Sequence, residues 1–239
     1  MQDAAVDVSV YLLADVPTAP SLAVLTPGEL RRAEALSTED NRLGFRAAHT
    51  LLRLAVADRV GVPPTQLTID FACARCSEQH GPPRILAGPG AGMGLSLTRS
   101  SGLIAVALLA PEAAGREVRV GIDIDRVDAV GFGGFDEVAL SPAESAALAP
   151  GDLPARATLW ARKEAVAKAL GSGLRRDPRQ IEVLSADGCG RGEAVVGGRR
   201  VAWCDVPLGR AGFAAAAAVC GSAAGTGIRV TLSDAATLF

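Results

Sequence analysis

The chain has 239 residues, of which 49% are apolar and only 4% aromatic, which is ample for a packed core in one or two domains and excludes wholesale disorder. With 24 Lys and Arg against 26 Asp and Glu, the formal net charge is −2. That excludes a global attraction to nucleic acid or an anionic membrane, so any anion site must be a local cluster.

Residues 1–10 carry acids and lack the basic stretch of an export signal, and the most apolar run, 213–219, is too short to span a bilayer. Five cysteines form an odd, sparse set that predicts reduced thiols in a cytoplasmic protein. A first long helix is predicted after Ser37-Thr38-Glu39-Asp40, running to Gly61 with Pro63-Pro64 beyond. A second is predicted from about Pro154 to a stop at Gly171-Ser172-Gly173. Strand-like runs lie at 67–71, 94–97, 103–109, 118–124, 181–184, 201–206 and 213–219. Helices embedded among strands predict an α+β or α/β layered protein. The Ala-rich character predicts elements that approach one another closely.

Displacing the chain by 110 positions lays Ala55-Val56-Ala57 on Ala165-Val166-Ala167 and Gly61 on Gly171. The same shift lays Gly102 on Gly212, Ala105 on Ala215 and Ala107 on Ala217. A helix end and a Gly-plus-strand returning at one offset predict two similar α+β halves, 1–112 and 113–239, joined near 111–116.

Residues 118–125 alternate strictly, with Val118, Val120, Ile122 and Ile124 on one face and Arg119, Gly121, Asp123 and Asp125 on the other. Carboxylates at i and i+2 lie roughly 7 Å apart at their Cα atoms and repel unless a cation or base intervenes. All-oxygen ligands suit a hard ion such as Mg²⁺, although a polar, solvent-facing strand has the same pattern. Glu164 and Lys168, four apart in the second helix, share a face; alone they read as an exposed ion pair. Cys73-x-x-Cys76 with His80 is half of a zinc pattern, without an evident fourth protein ligand or a second Cys-x-x-Cys.

Together these residues resemble the Sfp-type 4′-phosphopantetheinyl transferases. Gly121-Ile-Asp-Ile-Asp125 resembles their G-[IV]-D-x-E strand, and Trp160-Ala-Arg-Lys-Glu-Ala-Val-Ala-Lys168 through Gly171-Ser-Gly-Leu174 resembles their W-x-x-K-E-A-x-x-K helix. The loop from Cys73 to His80-Gly-Pro-Pro83, the strand Leu95-Ser-Leu-Thr-Arg-Ser100, and Leu140-Ser-Pro-Ala-Glu144 match further segments in family order. The resemblance implies a monomeric α+β fold of two pseudo-twofold halves, with the active site in the cleft between them. It implies Mg²⁺-dependent transfer of 4′-phosphopantetheine from coenzyme A to a serine of an apo acyl, polyketide or peptidyl carrier protein, with no nucleic-acid or membrane partner. Asp123, Asp125 and Glu164 would hold the metal. Glu164 would take the serine proton, and Lys168 and Lys163 would contact phosphate. Coenzyme A would also meet Ser96, Thr98 and Arg99, the loop residues His80, Gly81 and Pro83, and Arg42 and Arg46 at the 3′-phosphate. Arg53 is expected to pack or pair within the fold, and His49 to be a surface or partly buried histidine.

Three departures stand out: Asp125 for the usual Glu, Arg99 for the usual His, and Pro82 for the usual Lys, with Arg84 or Arg99 as a compensating cation. A non-catalytic relative that binds coenzyme A or carrier protein, and an Mg²⁺-dependent pyrophosphate hydrolase, are the alternatives.

Overall fold

The computed structural model describes residues 5–17, 22–73, 75–76, 78–111, 118–185, 188–221 and 227–239. The expected junction near 111–116 lies almost wholly outside the described residues. The chain order is β1 (Val6–Leu13), α1 (Pro27–Glu34), α2 (Glu39–Val60), β2 (Gly94–Ser100) and β3 (Leu103–Leu109). It continues with β4 (Arg119–Arg126), α3 (Phe135–Ala139), α4 (Pro142–Ala147), α5 (Leu153–Leu170), β5 (Arg191–Val196), β6 (Arg199–Asp205), β7 (Phe213–Cys220) and β8 (Ile228–Asp234).

The two long helices form where capping chemistry places them. Thr38 accepts a hydrogen bond from the Asn41 N–H to start α2, and Asp152 does the same for Ala155 at α5. Gly61 and Gly171 end the helices with φ of 71° in each case, the left-handed conformation glycine adopts without penalty. The shorter α1 and α4 begin in reciprocal capping boxes, Thr26 with Glu29 and Ser141 with Glu144.

The strands form two four-stranded sheets, ordered β2-β3-β1-β8 and β4-β7-β6-β5. All pairings are antiparallel except β1 with β8. The sheets meet face to face through Val8 and Val10 of β1, Ala105 and Ala107 of β3, Ile122 and Ile124 of β4, and Ala217 and Val219 of β7. The outer face of the first sheet packs on α2, and that of the second on α5. The succession β1-α2-β2-β3 thus recurs as β4-α5-β6-β7, with the orders β2-β3-β1 and β6-β7-β4 matching. This is a mixed α+β fold. Among the described residues no helix is long and apolar enough to cross a membrane.

Two expected strands are not ladders. Around 67–71 only Asp70 pairs, with Arg84. The run 181–184 is extended but unpaired, and the Val183 N–H donates instead to a carboxylate oxygen of Glu144 at 3.0 Å. The strands β1, β5 and β8 add to the expected set.

Lys163 corrects an expectation. Its side chain is 1% exposed, with Nζ 2.6 Å from Glu144 Oε2 and donating to the Pro178 and Ile181 carbonyls at 2.9 and 2.5 Å. All three N–H donors are thereby used, and the residue ties α4 and the 178–181 segment to α5 rather than reaching a phosphate.

Close approach dominates the β4–α5 contact. A Cβ on Gly121 would overlap the Ala165 carbonyl oxygen and stand 2.8 Å from the Ala169 nitrogen, both helix backbone. Gly121→Ala should therefore lower the urea midpoint by the equivalent of about 1–3 kcal/mol or more. Gly133→Ala, where an added Cβ meets nothing within 4 Å, should stay within about 0.5 kcal/mol of the parent; equal effects would remove the close-approach argument. Lys163→Met strands a buried Glu144 and should cost about 3–5 kcal/mol in equilibrium unfolding. A stable Lys163→Met protein with weakened coenzyme A binding would return Lys163 to the phosphate-contact role.

Candidate active site

The outward face of β4 carries Arg119, Gly121, Asp123 and Asp125, as the alternation predicts, but it faces α5 rather than solvent. Because Gly121 lets the helix settle on the strand, Glu164 and Lys168 lie directly over the two aspartates. Asp123, 6% exposed, accepts from Lys168 Nζ at 2.6 Å and from Thr98 Oγ1 of β2 at 2.9 Å. Lys168 Nζ also donates to the Ile122 carbonyl at 3.0 Å. Lys168, which spacing alone would pair with Glu164, is thus drawn to the strand.

Lys168 neutralises one carboxylate and leaves two crowded. Burial first, then the charge and hydrogen bond of Asp123 and the charge of Glu164, push Asp125 up to about 7, with Lys168 opposing. Burial, then Asp123, push Glu164 up to about 7, again against Lys168. Both carboxyl groups thereby titrate near neutrality, and the all-oxygen donor set fits a hard divalent ion that would relieve the crowding. Asp123, Asp125 and Glu164 do not bring their oxygens together as tightly as 4.8 Å; among the described residues only Cys73, Cys76 and His80 form such a three-residue group.

These side chains line a cavity of about 520 Å³. Phe45 and His49 of α2, Thr98 and Arg99 of β2 and Trp160 of α5 also line it. Sequence reasoning missed Phe45 and the special environment of His49. The imidazole is stacked on Phe45 at 3.9 Å between ring centroids and packs on Phe71 at 4.6 Å. Nδ1 lies 2.9 Å from Glu29 Oε1, and Glu29 also pairs with Arg53 at 2.9 Å. Burial pulls the imidazole below its ordinary value, with Glu29 opposing. Although burial works the other way, hydrogen bonds from His49, the Thr26 N–H and Arg53 hold Glu29 down at about 2. Arg53, expected within the fold, is this buried partner. The signal for the cluster was the helical spacing of Phe45, His49 and Arg53, which periodicity alone assigns to core.

The remaining candidates divide sharply. Thr98 and Arg99 line the cavity, and Arg99 also borders a neighbouring groove with Asn41 and Gly44. Its guanidinium donates to the Asn41 carbonyl at 3.2 Å, and a Cβ on Gly44 would stand 2.9 Å from it. Ser96 is buried; its Oγ accepts the Ile122 N–H at 3.1 Å, which joins β2 to β4. Arg42 pairs with Glu39 at 2.7 Å, and Arg46 pairs with Glu34 and Glu39; neither lines the cavity. His80, Gly81 and Pro83 sit in the 70–84 loop, also outside the cavity lining. Arg84 is engaged there with Asp70 at 3.3 Å and the Ala72 carbonyl at 2.7 Å.

No curated protein sequence matches the chain. A family model described as the 4′-phosphopantetheinyl transferase superfamily matches residues 119–218, from the first residue of β4 into β7. That span holds Asp123, Asp125, Glu164 and Lys168, so the part of the chain that brings the carboxylates and the lysine together is a domain of the 4′-phosphopantetheinyl transferase superfamily.

Proposed function

We propose that the protein is an Sfp-type, Mg²⁺-dependent enzyme that transfers 4′-phosphopantetheine from coenzyme A to a serine of an apo carrier protein. In this reading two pseudo-twofold halves, 1–112 and 113–239, flank the site, the first supplying coenzyme A contacts and the second the metal ligands and catalytic groups. One observation supports it above the rest: Asp123, Asp125, Glu164 and Lys168 line one cavity, and all four lie within the family match.

The serine oxygen forms a bond to the phosphorus on the pantetheine side of the pyrophosphate. The bond to the other phosphate breaks, and adenosine 3′,5′-bisphosphate departs with the electron pair. Glu164 would accept the serine proton, directly or through water. Lys168 spends two N–H donors on Ile122 and Asp123, which leaves a third for a phosphate oxygen. Asp123 and Thr98 fix that ammonium in place. Arg99, with room made by Gly44, is the second cation at the cavity and holds phosphate by a planar fork. Asp123, Asp125 and Glu164 would hold Mg²⁺, which when bound neutralises charge on the pyrophosphate.

Incubation with an apo carrier protein, coenzyme A and Mg²⁺ should add one phosphopantetheine mass to the carrier, and EDTA should abolish the gain. Asp123→Ala should reduce kcat/KM on the order of a hundredfold or more. No mass gain across acyl, polyketide and peptidyl carriers would defeat the proposal, and coenzyme A consumption without a carrier would favour a hydrolase.

The crowded carboxylates also make a thermodynamic prediction. Their folded values are raised, so the metal-free fold loses stability as pH rises from the ordinary carboxylate range through about 7. Added Mg²⁺ should then raise Tm more at pH 8, where the ligands are deprotonated, than at pH 6. Equal shifts at the two pH values would contradict the crowding.

A further inference from the structure

A second cluster lies outside the cavity and carries different chemistry. The 70–84 loop opens and closes at the bridge between Asp70 and Arg84. Within it the N–H groups of Cys73 and His80 both donate to the Glu78 carbonyl, at 2.7 and 3.0 Å. The Gly81 N–H donates to the Phe71 carbonyl at 2.7 Å. A Cβ on Gly81 would stand 2.6 Å from the Ala72 carbonyl oxygen and 3.1 Å from the Cys73 Cα. Only glycine lets the chain turn back this closely, and the turn brings His80 over the Cys-x-x-Cys. The ligand atoms of Cys73, Cys76 and His80 then all lie within 4.8 Å of one another, with Cys76 Sγ and His80 Nε2 3.0 Å apart.

We propose that Cys73, Cys76 and His80 bind a zinc ion, separate from the carboxylate cavity, with solvent or an external ligand in the fourth position. Two thiolates and a neutral imidazole match the dication in charge, and sulfur with imidazole nitrogen selects zinc over the hard ions that carboxylates prefer. In a tetrahedral site with Zn–S of about 2.3 Å and Zn–N of about 2.0 Å, a sulfur and a nitrogen donor stand roughly 3.5 Å apart. Seating the ion therefore opens the Cys76–His80 contact, 3.0 Å here, by about 0.5 Å, through two exposed side chains that have room to move. The backbone N–H groups of Arg75 and Cys76 point at the Cys73 sulfur and would steady it as a ligand.

The consequence reaches the cavity through Phe71. That ring, at the base of the loop, packs on His49, so the ion stiffens a segment behind the cavity wall without touching the reacting atoms. The inference stands on the loop alone and does not depend on the transfer reaction.

Full-length protein, reduced and freed of metal, is titrated with Co²⁺ and then with Zn²⁺. One equivalent of Co²⁺ should produce a thiolate-to-cobalt charge-transfer band that Zn²⁺ then removes. The band should disappear in Cys73→Ser and in Cys76→Ser, weaken and shift in His80→Ala, and persist in Asp123→Ala and in Cys189→Ser. Zn²⁺ should raise Tm in the parent and not in Cys76→Ser, whose unchanged circular dichroism would show that it folds. A reduced parent that gives no charge-transfer band, or a band that survives in Cys76→Ser, overturns the proposal.

Discussion

The contact on which the rest depends is the one made without side chains, between Gly121 and the backbone of α5 at Ala165 and Ala169. Ala161, Ala165 and Ala169 are fully buried and recur every four residues along one face of the helix. Ala214, Ala216 and Ala218 of β7 present an equally small surface beside them. Small residues on both sides let the helix axis lie close to the sheet, which is the physical meaning of an alanine-rich, aromatic-poor composition. Height above the sheet decides the chemistry. A lysine on a helix held one side chain further away would reach solvent; at this distance Lys168 reaches a strand carbonyl and the neighbouring aspartate. A methyl group at position 121 would thus perturb both the packing and the placement of Glu164 and Lys168.

The two sheets are also stitched by side chains at this point. The β4 edge turned away from β7 is not continued by a backbone ladder. Instead the Ser96 hydroxyl accepts the Ile122 N–H and the Thr98 hydroxyl donates to Asp123. With Lys168 taking the Ile122 carbonyl, both polar groups of that peptide position are satisfied, as a buried strand edge requires. Two of these three side chains, Thr98 and Lys168, also hold Asp123 in one orientation. Sheet packing and site geometry are therefore one set of hydrogen bonds.

Much of this was legible in the sequence, and the reasons separate cleanly by range. The caps of α2 and α5, the alternation of β4 and the strand runs at β3 and β7 are local signals, and each element falls where its residues place it. The alternation of Val6, Val8, Val10 and Leu12 in β1 is a local signal of the same kind. The extended run at 181–184 shows the opposite failure: apolar composition suited a strand, yet its neighbour is the Glu144 carboxylate rather than another chain segment. For the candidate site, spacing set Asp123 and Asp125 on one strand face and Glu164 and Lys168 on one helix face, and the four line one cavity. The resemblance placed Lys163 on phosphate, whereas adjacent residues on a helix point about 100° apart, and the buried carboxylate that captures this lysine comes from nineteen residues away. Glu29 with His49 was illegible for the same reason. A long-range ion pair leaves no period in the chain.

The charge balance at the cavity follows from these pairings. Arg99 and Lys168 are the two cationic side chains on its lining, against Asp123, Asp125 and Glu164, while burial disfavours a charge on His49. Lys168 is committed to Asp123, so Asp125 and Glu164 carry the unmet charge, and both respond by titrating at about 7. The anionic pyrophosphate of the proposed substrate would meet net repulsion at this wall, in a confined, partly desolvated space where Coulomb terms are several times stronger than in water. Two protons or one dication would relieve it, but protons would also remove the proton-acceptor role proposed for Glu164. On the proposed function, the need for a divalent ion would come from the count of charges rather than from any single ligand. The shorter arm of Asp125 does not alter that count. A near-neutral chain can house an anion site only by concentrating both signs locally, and the alanine-lined contact between β4 and α5 brings them together.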